Sequence, residues 1–343
     1  MPAINLTLSL IGQYYFSDKE SVSSSKKQTT KNSGVADPRS RWIGWFRITM
    51  AVLVAIAIVW TAVKATKQLS ESSLGFTDIG YVWWICAIGV YIVAMFLSCL
   101  FWHRVLVALG QSPKFGQSLM AFYASQLGKY VPGKAMVVVI RTDLIRGDDV
   151  RTAPAAASVF VETLTWLFVG AAVASLMLVV WFRDQTFLQI TAGILMVVAG
   201  VLTWPSIFRS IALKMGTVRG RNVAKMFEGL NLATMSYGWF VIAIGWCLNG
   251  SSLWLVLKGL PGTDVVASDY PLTLACVSLA TVAGFVSLLP GGIGVRELVM
   301  IPLLGARFGS VTAIVAAVVI RVVWMTAELL TSGIIYFCRR PKK

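Results

Sequence analysis

A proline and three glycines fall in the middle of an apolar run. Residues 287–305 read SLLPGGIGVRELVMIPLLG, with Pro290, Gly291, Gly292 and Gly294 interrupting a hydrophobic helix. Proline has no backbone donor and clashes with the preceding turn, and glycine is a poor helix former. A helix arriving here is expected to stop near Leu289 and restart near Ile293, with Arg296 and Glu297 just after the restart. Residues 124–141, ASQLGKYVPGKAMVVVIR, repeat the design with Pro132 and Gly133 at the break. Two broken apolar segments in comparable places of two halves point to the binding site of a membrane transporter.

Composition agrees with a bilayer setting. The 343 residues are 57% hydrophobic and 13% charged, with a mean hydropathy of +0.75. A soluble domain needs more charge to cover its surface. The formal charge of +15 has no aromatic-plus-basic module beside it, so a nucleic-acid partner is not expected. Cys86, Cys99, Cys247, Cys276 and Cys338 lie in or at the end of apolar stretches, without metal-ligand spacing, and read as packing residues. With His103 as the single histidine, His-based metal clusters and Ser/His/Asp catalysis are excluded. No cofactor is expected.

Six segments are long enough to cross a hydrocarbon core of about 30 Å, which needs roughly 20 residues. They lie near 44–63, 79–101, 154–182, 187–204, 232–257 and 311–337, and Trp42, Trp45, Trp60, Trp83, Trp84, Trp102, Trp181 and Trp204 at their ends suit an interfacial belt. The broken segments, near 115–145 and 272–305, each carry two short apolar limbs. They read either as re-entrant hairpins or as pairs of short full-width helices. Ahead of the spans, residues 1–40 read as a disordered cytoplasmic arm rich in Ser, Lys and Thr. Residues 41–338 form one transmembrane domain, and 339–343 a basic tail.

The basic residues orient this layout. With both termini cytoplasmic, 23 of the 30 Lys and Arg lie inside and six outside, with Arg321 within a span. That asymmetry is what the positive-inside rule describes. The two broken segments then enter from opposite faces. Repeat halves near 79–182 and 232–337 are related by inversion, with Pro132 and Pro290 158 residues apart and Glu162 and Arg321 159 apart. The expected fold is all-α: six crossing helices plus two Pro/Gly-broken hairpins in an inverted repeat.

The YVPGK stretch, the LLPGGIGVRE stretch, and Glu162 and Arg321 in the following long helices together resemble the transmembrane region of lysylphosphatidylglycerol synthases and related stand-alone flippase-like membrane proteins. The likeness runs from about Trp42 to Phe337. It implies a multi-pass protein of the plasma (inner) membrane that translocates or presents anionic or modified lipids, or serves lipid-linked glycan pathways. The synthases carry a soluble aminoacyl-transfer domain after the membrane part, and this chain ends soon after its last span, so the resemblance implies lipid handling rather than enzymatic transfer.

The residues themselves suggest how. A half-helix starting inside the membrane presents free N–H groups and partial positive charge, suited to phosphate. The restarts at 133–135 and 291–294 supply such ends, and Lys129, Lys134, Arg141 and Arg296 add full charges. Glu297 either neutralises Arg296 or contacts the helix start. Glu162, Arg321 and Glu328 lie within long spans, where an ionised side chain costs about 2.5–3.5 kcal/mol and needs a partner. Matching places in the two halves suggest a Glu162–Arg321 ion pair, as a structural clasp or a gate. The same carboxylates also suit proton coupling. RGDDVR, with Asp143, Asp148 and Asp149, reads as a solvated loop rather than a metal site. The expected partner is a membrane lipid of anionic character, with a lipid-modifying or glycosyl transferase as a further candidate, and homo-oligomers are compatible with these features. Two other classes frame the reading: a scaffold that delivers lipid to a separate transferase, and a membrane-embedded transferase.

Overall fold

A computed structural model describes residues 80–130, 135–181, 227–287, 290–292 and 294–338, with scattered positions between 190 and 210. The arm at 1–40, the span at 44–63, most of the span at 187–204, the tail at 339–343, and Pro132, Gly133 and Lys134 lie outside the described residues. The described chain is helical throughout, apart from one isolated bridge between Gly147 and Val150.

Among the described residues eight named helices carry the fold: α1 Tyr81–Ala108, α2 Phe115–Gln126, α3 Ala135–Ile145, α4 Thr152–Trp181, α5 Leu232–Lys258, α6 Tyr270–Val286, α7 Val295–Phe308 and α8 Ser310–Cys338. Among the described residues five stretches are long and apolar enough to cross a membrane: α1, Thr152–Val179, α5, Ala267–Val286 and Ser310–Ile335. Four of these were expected as spans. The fifth corrects the sequence reading, because the first limb of the second broken segment is not short. With its 3₁₀ entry it runs 20 residues, whereas α2 and α3 have 12 and 11, only about 18 and 16 Å at 1.5 Å per residue.

A seven-residue repeat of small side chains joins α1 to α5. Gly238, Gly245, Ser252 and Gly259 are spaced by seven, and so are their partners Phe101, Ala94, Ala87 and Gly80. A Cβ on Gly238 would sit 2.1 Å from Phe101, and one on Gly245 3.6 Å from the Ala94 carbonyl oxygen. Ser252 Oγ donates to the Ala87 carbonyl at 3.1 Å, and the Gly80 N–H donates to Gly259 O at 2.9 Å. Water provides no driving force inside a bilayer, so close backbone approach and interhelical hydrogen bonds supply the association. Gly238→Ala is expected to destabilise the fold by about 1–3 kcal/mol through overpacking on Phe101, read as a lower melting temperature in detergent.

Tryptophan anchors the other seams. Trp246 fills the space over Gly170, where a Cβ would lie 2.4 Å from its ring, and donates to the Trp166 carbonyl at 3.1 Å. Trp102, expected in the interfacial belt, is instead fully buried and donates to Ser158 Oγ at 2.9 Å. Its indole N–H found a partner inside the bundle, so the ring has no need of the headgroup region. Cys86 and Cys247 are exposed rather than packed, while Cys99 and Cys276 are buried. His103 sits against Ser118 Oγ at 2.9 Å, a packing role.

Hydrogen bonds join the residues that flank each broken segment. At the first, the Ser112 N–H donates to Asp149 O and the Arg151 N–H to Gln111 Oε1, tying the residues before α2 to those after α3. At the second, Arg307 near the end of α7 donates to Asp269, at the start of α6, at 2.9 Å and to the Asp264 carbonyl at 3.2 Å. The α2–α3 and α6–α7 limbs pack on each other.

Candidate functional site

The site is assembled at the two breaks. α2 passes into a 3₁₀ turn, Leu127–Tyr130, and α6 stops at Val286 before the 3₁₀ turn Pro290–Gly292. That stop falls three residues before the expected Leu289, and α7 begins at Val295 rather than near Ile293. The late restart follows from the glycines: Gly291, Gly292 and Gly294 all have positive φ, at 59°, 66° and 84°, a left-handed stretch after the proline that a right-handed helix does not include.

The breaks touch. A Cβ on Gly291 would lie 3.5 Å from the Tyr130 ring. Gly292 packs backbone to backbone on α6, where a Cβ would meet Gly284 Cα at 2.8 Å. Gly292→Ala is therefore expected to add the left-handed penalty of about 1–2 kcal/mol to a clash that only backbone movement relieves. A lower melting temperature in detergent is the expected reading.

Charged side chains gather around this junction. Glu328 on α8 is fully buried; Lys129 donates to its Oε1, and so does the Tyr91 hydroxyl from α1, at 2.6 Å. Lys129 also reaches the Tyr91 oxygen at 3.3 Å. Arg321, about two turns before Glu328, pairs through Nε with Glu297 Oε1 at 3.1 Å, and its Nη2 donates to the carbonyls of Gly292 and Gly291 at 3.0 and 3.3 Å. It thereby fixes the break itself. The other Glu297 oxygen accepts the Gly294 N–H at 2.8 Å, capping the start of α7. Of the two roles expected for Glu297, the helix-start contact is present, and the arginine it neutralises is Arg321 rather than Arg296.

Arg296 is the residue left over. Its guanidinium lies 5.9 Å from the centre of the Trp324 ring, which stacks on Tyr91 at 4.8 Å. Its Nε is buried without a hydrogen-bond partner among the described residues. It acts electrostatically on Lys129, Tyr130 and Arg321. A cation beside two others, with an unused donor, is equipped to take an anion.

The expected Glu162–Arg321 pair is not formed. Glu162 instead accepts from Arg141 at 2.9 Å, with both side chains buried, and Arg141 Nε donates to Ser125 Oγ at 2.9 Å. Phe122 and Trp102 cover this guanidinium at 4.3 and 5.1 Å. Pairing is decided within each half because α3 packs on α4 and α7 on α8, which brings the charge after each break to the following long helix. Arg141 and Glu162 thus form an internal clasp, and the structure brings Lys129, Arg296, Glu297, Arg321 and Glu328 together without them. Tyr91 and Trp324 belong to the site too. Sequence reasoning missed them because an aromatic inside a span reads as packing.

An open apolar recess of about 550 Å³ lies along α8, lined by Thr326, Leu329, Leu330, Gly333, Ile334 and Phe337. A hydrocarbon lining cannot orient a headgroup, so the charged junction is the candidate site.

Residues 19–327 match the family model described as the lysylphosphatidylglycerol synthase TM region. The chain belongs to this family. It is also 31% identical over 158 residues to the inner membrane protein YbhN of Escherichia coli (strain K12), a match covering 46% of this chain and 45% of that protein. Family membership and the five long apolar helices make this a multi-pass membrane protein.

Proposed function

We propose that the protein is a lipid flippase or lipid-handling transporter that holds the phosphate of an anionic phospholipid or lipid-linked intermediate at the junction of the two breaks. The observation that carries this reading is Arg296: a cation whose buried Nε has no partner among the described residues, placed beside Lys129 and Arg321. Arginine suits two-point phosphate binding, and the paired residues around it keep the junction polar in apolar surroundings. Pro132, Gly133 and Lys134 belong to the same proposal from the first break, and Pro290, Gly291, Gly292 and Gly294 from the second.

Alternating access completes the proposal, with both termini cytoplasmic and re-entrant segments entering from opposite faces. Support comes from the ion pairs. After the first break a basic residue, Arg141, pairs with an acidic one in the next long helix; after the second an acidic residue, Glu297, pairs with a basic one. The same clasp with exchanged charges is what two diverged copies of one unit would carry. Movement between states would then break the Lys129–Glu328 and Arg321–Glu297 contacts, which hold the junction closed.

The second reading is a non-transporting scaffold that presents lipid to a separate transferase, favoured by the family description, which names a synthase. Proteoliposomes decide between them. Purified protein alone should move fluorescently labelled phosphatidylglycerol between leaflets, and Arg296→Ala should abolish the movement. No movement without an added transferase would support the scaffold.

A further inference from the structure

Inside a bilayer an apolar helix face gains nothing by exchanging lipid for protein, so close packing and polar contacts decide how firmly an element is held. By that measure α7 is lightly held. Of its 14 residues Met300 and Leu304 are buried, against eleven of the 17 in α6 beside it. Its polar side chains are Arg296, Glu297 and Arg307. Glu297 at the leading end bonds Arg321 of α8 at 3.1 Å, and Arg307 at the trailing end bonds Asp269 at 2.9 Å. Between those ends, the polar contact with α6 among the described residues is Cys276 Sγ to the Met300 carbonyl, at 3.9 Å. A glycine stands at each end. Gly294 has φ 84°, and Gly309, with φ 81° and ψ 156°, is the single residue between α7 and α8. A Cβ at either position would meet nothing within 4 Å, so the chain has room to turn there. Hinges are a few positions at element ends that absorb the change in backbone dihedrals.

We propose that α7 is the gate of the junction: it pivots at Gly309, and the end bearing Arg296 and Glu297 swings away from α8 when the Glu297–Arg321 pair parts. This rests on the reading that the junction holds a lipid phosphate, and it adds the element that opens the site. The pivot belongs at Gly309 because Arg307, two residues before it, ties the trailing end to Asp269 and to the Asp264 carbonyl. The leading end is held to α8 by Glu297 and leads back into the glycines of the break, which adapt to a new direction. Opening there admits a headgroup to Arg296. In the closed position its Nε lies against Gly284 and Gly292, 3.1 Å from where a Cβ on either would stand. At 1.5 Å per residue, Leu298 lies about 17 Å along the helix from Gly309 and Ala306 about 5 Å, so a pivot moves the first roughly three to four times as far as the second.

The test is double electron–electron resonance on the full chain in nanodiscs of phosphatidylglycerol. One spin label sits on an exposed native cysteine, Cys86 of α1 or Cys247 of α5, so that motion is read along two lines. The unlabelled one of the two and Cys338 are changed to Ser. The other label sits on Leu298→Cys, a position 75% exposed, or on Ala306→Cys, also exposed. Glu297→Gln keeps an acceptor for the Gly294 N–H but gives up the charge that holds Arg321. It is expected to add a second distance at Leu298→Cys, displaced by about 5 Å or more, as a turn of about 20° on that lever gives. The displacement at Ala306→Cys should be about a third of that or less. Gly309→Ala should act in the same direction and serves if Glu297→Gln does not fold, because the closed φ and ψ at this position are open almost to glycine alone. One unchanged distance from both references in both variants, or equal displacement at the two α7 positions, overturns the gate. Labelled phosphatidylglycerol crossing between leaflets while α7 stays in place overturns the gate and leaves the transport reading standing. A swinging α7 with no lipid movement supports the hinge and overturns the transport reading beneath it.

Discussion

Glu162→Ala is expected to destabilise the protein by about 3–5 kcal/mol, the cost of leaving a buried charge without its partner. Arg141 would then lie 2% exposed between Phe122 and Trp102, with Ser125 Oγ as its remaining side-chain acceptor among the described residues. A membrane offers it no water in exchange. The measurement is the yield and melting temperature of the monodisperse protein in detergent, and both should fall sharply. Replacing both partners, Arg141→Met with Glu162→Met, should recover most of the loss, because the ion pair's own desolvation disappears with it. A single variant that melts like the wild type would show that this clasp does not hold α3 to α4.

Arg296→Ala should behave in the opposite way. Its Nε donates to no described residue, and its contact with Trp324 is loose at 5.9 Å. Truncation removes a like charge from the neighbourhood of Lys129 and Arg321, so the melting temperature should hold or rise slightly. Transport should fall about tenfold or more, since hydrogen bonds to charged groups contribute about 1.5–3 kcal/mol each. A residue needed for function and dispensable for folding separates a site from a clasp. Arg321→Ala is predicted to do both kinds of damage, because that side chain also holds the Gly291 and Gly292 carbonyls.

The sequence revealed the breaks before it revealed the partners. Proline and glycine act on the backbone locally, so Pro290 to Gly294 could be read as an interruption, although the left-handed glycines after the proline put the restart at Val295. Ionisable residues in apolar runs were equally visible, because each must find a partner away from lipid. Which partner they find depends on helix rotation and on which elements pack together, neither of which a residue offset encodes. The offset matched Glu162 with Arg321 across the halves. A better signal was present: each limb after a break carries a charge opposite in sign to one in the next long helix, Arg141 with Glu162 and Glu297 with Arg321. Tyr91 left no such trace. Its role comes from the 237 residues of sequence separating it from Glu328 being folded away.

Central to the account is a single headgroup site built by both breaks. Electron cryomicroscopy of the protein in nanodiscs containing phosphatidylglycerol tests it most directly. The account predicts phosphate density within hydrogen-bond distance of Arg296 and Lys129, between the Leu127–Tyr130 and Pro290–Gly292 turns. Lipid density confined to the outer surface of the bundle, with either broken segment seen as one continuous helix, would contradict it.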